Sequence, residues 1–84
     1  MKEKLELAGQ FIDIFCPILN KSLENPDSDG LEFKLSDESG KPIIEVRLEG
    51  DAYESCRTED GYKNICRNLA CWFVEGYLAH YNLN

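Results

Sequence analysis

The chain has 84 residues and carries sixteen acids against nine bases, a net charge of −7. A hydrophobic fraction of 43%, with 11% aromatic residues, excludes intrinsic disorder, and the length allows one two-layer core, so residues 1–84 are read as a single domain. The acidity excludes direct binding to nucleic acid, whose phosphates it would repel.

From the N-terminus, Leu5, Ala8, Ile12, Phe15 and Leu19 recur at helical spacing, with Leu7, Phe11, Ile14 and Ile18 as a second row. Together they predict a helix over residues 3–24 with one wide apolar face. Pro17 lacks a backbone N–H, so this segment is either one bent helix or two short ones. Asn25-Pro26-Asp27-Ser28-Asp29-Gly30 then stops it at Glu24. Asn25, Asp27, Asp29 and Gly30 coincide with the first half of a calcium-binding loop. Ser36 stands where that loop needs its bidentate glutamate, so the segment is read as a solvated turn.

The period next changes to two. Leu31, Phe33 and Leu35 alternate with polar residues, Asp37 to Lys41 supply a turn with Gly40 free to take positive φ, and Ile44, Val46 and Leu48 alternate in a return strand ended by Gly50-Asp51. Pro42 is placed at the strand start or on an edge, because it has no N–H for the ladder. A second helix is predicted from Gly61, with Ile65, Cys66, Leu69, Phe73, Gly76, Tyr77 and His80 along its apolar row and Asp60 as its N-cap. The expected fold is α+β in the order α-β-β-α, a two-stranded antiparallel hairpin packed on helices. Two strands alone leave unpaired edges, so a homodimer with a four-stranded sheet across it is expected.

No run approaches the roughly 18–20 uninterrupted apolar residues of a membrane helix, and Glu6 interrupts the start of the chain, which speaks against a signal peptide. The reading is cytoplasmic, without a membrane role, and Cys16, Cys56, Cys66 and Cys71 are expected to be thiols. Their spacings do not fit a structural zinc site, Cys16 and Cys66 read as small core residues, and no metal or cofactor is expected. His80 is the single histidine and is read as a packing or capping residue at a helix end, because no second histidine exists to build a relay. The chain is therefore read as a non-enzyme.

The charge is concentrated. Residues 24–60 hold twelve acids against four bases and sum to −8, whereas residues 1–23 sum to zero and residues 61–84 to +1. Carboxylates arrayed on a small rigid domain attract basic protein surfaces and imitate a phosphate backbone. The candidate partner-binding residues are Glu32, Glu45, Glu49, Asp51, Glu54, Glu59 and Asp60, with Trp72 as an exposed aromatic anchor. The leading expectation is an acidic protein-binding module that masks a basic, nucleic-acid-binding surface of a partner enzyme. Small inhibitors from phage and mobile elements, anti-CRISPR proteins among them, work in this way.

A second reading comes from a resemblance. Asn68, Leu69, Cys71, Gly76 and Leu78, with Pro42-Ile43-Ile44 opening the second strand, resemble the pattern of the vinyl-reductase-like domain shared with TRAPP subunits. There, too, a helix leads into a hairpin and a final helix carries an Asn-Leu-x-Cys run with a glycine five residues beyond, as here. The resemblance covers residues 8–80 in order of elements, and Trp72 departs from it by standing where a small residue is usual. It implies dimerisation and, in some members, an apolar-ligand pocket.

Overall fold

A computed structural model describes residues 2–82. The elements run α1 (Lys2–Glu24), β1 (Gly30–Ser36), β2 (Pro42–Glu49), α2 (Gly50–Ser55) and α3 (Glu59–His80). The architecture is α+β with an antiparallel two-stranded hairpin, as the change of period requires, plus one short helix that periodicity did not announce.

α1 passes through Pro17 as one helix and ends at Glu24, before Pro26. Asp13 and Pro17 are both exposed, so the carbonyl that loses its N–H partner lies on the watery side of the helix. Phe11, Phe15 and Leu19, four residues apart, are wholly buried. The apolar face is narrower than the sequence suggests: Leu5, Ile14 and Ile18 are exposed, Leu5 to 75%. The stripe centred on Phe15 suffices to cover the hairpin, which leaves these three on its margins.

In the hairpin, Leu31 pairs with Leu48, Phe33 with Val46 and Leu35 with Ile44, which puts all six apolar residues on the face that meets the helices. The register slips after Leu35, and Ser36 pairs with Pro42, the first residue of β2. In the turn, Gly40 adopts a φ of 90° and the Asp37 N–H donates to the Lys41 carbonyl at 2.8 Å. On the outer face Glu32 is opposite Arg47 and Lys34 opposite Glu45.

α1 and α3 form an antiparallel pair beneath the sheet, with Phe11 beside Phe73 and Cys16 beside Cys66. Phe11 stacks on Phe15 and on Phe73, both at 5.2 Å between ring centroids, and Phe33 meets Phe11 and Phe15 edge-on from the sheet. Such pairs add about 0.5–1.5 kcal/mol each beyond the area they bury. Gly76 lets α3 approach β2 closely, since a Cβ there would lie 3.2 Å from the Ile43 carbonyl oxygen.

The N-cap of α3 is Thr58, not Asp60. The Thr58 hydroxyl accepts from the Gly61 N–H at 3.1 Å and donates to the Ser55 carbonyl at 2.8 Å, so one side chain closes α2 and opens α3. Asp60 sits instead in the first turn with Glu59, where negative charge complements the helix dipole. Among the described residues no helix is long and apolar enough to cross a membrane.

Candidate functional site

At the open end of the hairpin, β2 runs directly into α2, with Gly50 at a φ of 60° making the corner. α2 is held by Tyr53, whose ring is fully buried and whose hydroxyl lies 2.6 Å from Ser22 Oγ and 2.9 Å from Ser28 Oγ. Arg57 fastens the same corner. Its Nη2 donates to the Ser28 carbonyl at 2.9 Å, Nη1 to the Leu23 carbonyl at 3.3 Å and Nε to Glu54 Oε2 at 3.1 Å, and the guanidinium lies 5.5 Å from the Tyr53 ring centre.

This corner brings Asp29, Glu32, Glu49 and Glu54 around one concavity of about 820 Å³, with Arg47 the single base on its wall. Asp51 follows in the first turn of α2. Of the residues expected to bind a partner, Glu32, Glu49 and Glu54 are therefore gathered, Asp51 adjoins them, and Asp29 joins from the loop before β1. Glu45 is not among them: it lies farther along the outer face, 3.3 Å from Lys34. Glu59, paired with Lys63, and Asp60 open α3, and Trp72, 65% exposed, stands farther along that helix.

Cross-strand pairing thins the negative field of the sheet itself. Arg47 Nη2 lies 2.7 Å from Glu32 Oε1, and both side chains are mostly exposed. The outer face of the hairpin is thus a mixed ladder, whereas at its open end Asp29, Glu49 and Asp51 make no ion pair among the described residues.

His80 is placed by the opposite end of the hairpin. Its Nε2 lies 2.7 Å from Asp37 Oδ2, while Asp37 Oδ1 accepts from the Ser39 hydroxyl and from the N–H groups of Ser39 and Lys41. The Ser39 hydroxyl and then His80 hold the Asp37 carboxyl well below its ordinary value of 3.8. A depressed folded-state pKa contributes stability that is fully present above the ordinary aspartate value and is lost as pH falls from there through the lowered folded-state value. The Asp37→Asn variant is accordingly expected to melt below the wild type at pH 7, with the gap starting to narrow only as pH falls below about 4 and shrinking progressively from there. Thermal unfolding across that range checks this, and a gap that does not change with pH would show that charge at Asp37 is irrelevant.

Cys16 Sγ and Cys66 Sγ are 3.6 Å apart, and both residues are free thiols. Burial pushes Cys66 up to about 12, with the Cys16 sulfur adding to it, which leaves it protonated and unreactive, as a small core residue should be. Burial likewise raises Cys56, whereas Cys71 is exposed on α3. Beside the two thiols, α1 and α3 leave an open apolar groove of about 940 Å³ whose walls include Leu5, Ile12, Val74 and Leu78. Sequence reasoning missed this groove, because it exists only once the two helices pair.

Comparison with protein-family models, curated proteins and solved structures finds no match. The vinyl-reductase-like resemblance accordingly stands on the residues quoted for it alone.

Proposed function

We propose that this chain is a non-enzymatic acidic module that docks the basic surface of a partner protein, with Asp29, Glu32, Glu49, Asp51 and Glu54 as its contact residues. The concavity at the open end of the hairpin carries this reading. It gathers four carboxylates, two of them paired with Arg47 and Arg57, on a corner fastened by the Tyr53–Ser22 and Arg57–Ser28 hydrogen bonds. Carboxylates with fixed spacing favour a partner whose lysines and arginines are themselves arrayed to hold phosphates. The finer proposal is that the partner is a nucleic-acid-binding protein in the cytoplasm, inhibited by occlusion. The alternative, an apolar-ligand module, has its counterpart in the open groove between α1 and α3.

The test is capture of partners by the tagged protein from its native host, with elution by rising salt, followed by titration of the purified partner. The double variant Asp29→Lys, Glu49→Lys is expected to lose affinity by at least about tenfold and to show a flatter salt dependence. Addition of DNA or RNA should compete with the wild type. A partner that binds the double variant equally well, or that stays bound at high salt, would rule out the acidic concavity as the docking surface.

A further inference from the structure

We infer that the α1/α3 groove is the seat of a second copy of this chain, joined about a two-fold axis with the two α3 helices antiparallel. The groove-facing ridge of α3 carries Lys63, Arg67, Cys71 and Glu75 at intervals of four, so they stack along one line of the helix, and all four are exposed. Read along that line the charges run from positive through a neutral thiol to negative. Antiparallel pairing centred on Cys71 sets Arg67 against the partner subunit's Glu75 and, by symmetry, Glu75 against the partner subunit's Arg67. The ridge is complementary to itself in that one orientation, which is what a two-fold interface demands.

Neither Arg67 nor Glu75 has an ion-pair partner within the chain among the described residues. The apolar material is present as well. Leu5, the most exposed large aliphatic side chain among the described residues, and the half-buried Ile12 line the groove above the buried Val74 and Leu78, and a four-helix layer formed by two copies would cover Leu5 and Ile12.

Net charge raises the obvious objection, since two chains of −7 repel each other. The segments that build this face, residues 1–23 and 61–84, sum to zero and +1, and the acids belong to residues 24–60. The groove wall itself holds Lys4, Lys63 and Arg67 against Glu75, so two copies meeting there bring together none of the acidic excess of residues 24–60. The surface is separate from the acidic concavity and does not depend on the function proposed for it.

Sedimentation of the purified protein over a concentration series tests the proposal. The wild type should dimerise, Arg67→Glu and Glu75→Arg should each raise the dimer dissociation constant at least about tenfold, and the double variant carrying both should recover most of the loss. Diamide, which takes the two thiol protons and electrons as a disulfide forms, should give a covalent dimer that Cys71→Ser abolishes. The substituted residues are exposed, so circular dichroism should show all variants folded. A chain that is monomeric up to about 1 mM would overturn the inference. So would a dimer indifferent to the charge swap, the result a sheet built across the hairpin edges would give. Neither outcome touches the capture experiment, which reads Asp29 and Glu49.

Discussion

Replacing Phe15 with alanine is expected to cost about 3–5 kcal/mol, a large part of the roughly 4–13 kcal/mol that holds a chain of this size together. Phe15 is fully buried, stacks on Phe11 and meets the edge of Phe33, so the truncation opens a hole where α1 meets the sheet. Neighbours cannot fill it, because Phe11 and Leu19, one turn to either side, already occupy their own sites at zero exposure. At about 4–8 °C per kcal/mol the melting temperature should fall by more than about 12 °C, and the urea midpoint with it. Ile14→Ala on the same helix is the control. Ile14 is 45% exposed, and its loss should cost under about 1 kcal/mol. Equal losses from the two variants would mean that α1 packs by a different face.

The second large effect is expected at Gly61. A Cβ built there would overlap the Ser55 carbonyl and lie 2.9 Å from Thr58 Oγ1. Both are parts of the junction where Thr58 joins α2 to α3, so Gly61→Ala must push the two helices apart or break the cap. Overpacking and a lost cap together should cost about 2–4 kcal/mol. Gly9→Ala is expected to have the opposite sign. Gly9 lies inside α1 with nothing within 4 Å of its would-be Cβ, so alanine there should stabilise by about 0.5–1 kcal/mol through helix propensity. Chemical unfolding of the two variants side by side gives both signs in one experiment, and a Gly61→Ala variant as stable as the wild type would show that the junction is slack.

Where the fold was legible, several local signals agreed. Alternation in Leu31 to Leu35 and Ile44 to Leu48, with Gly40 between them, specified the hairpin, its faces and its turn. Asn25-Pro26 placed the end of α1, and helical spacing from Ile65 to His80 gave α3. α2 escaped because six residues are too few to show a period, and Tyr53 is a single aromatic among acidic and small residues. Its buried hydroxyl needs Ser22 and Ser28, which are far away in sequence. The Thr58 cap escapes a sequence reading that takes Asp60 for that role, because its hydroxyl donates to Ser55 of α2 while accepting from Gly61, a junction that exists only once α2 has formed.

The candidate site was legible in part. Composition located the acidity in the middle of the chain, but it took the register to show which acids meet a base. Glu32 opposite Arg47 and Glu45 opposite Lys34 follow only when the strands are aligned residue by residue, and the slip after Leu35 hides that alignment from a simple count. The gathering of Asp29 with Glu49 and Glu54 depends on α2 folding back against the end of α1, which Arg57 secures.

That guanidinium decides how costly recognition is. Its fork satisfies carbonyls from the last turn of α1 and from the following loop while gripping α2 through Glu54, so three segments meet at one planar group. A lysine, with a point charge and no fork, would leave acceptors unmatched and the segments free to shift. The acidic corner is ordered before any partner arrives. A partner docking there as proposed would be spared the entropy of arranging flexible loops, and more of the attraction between the charges would survive as affinity.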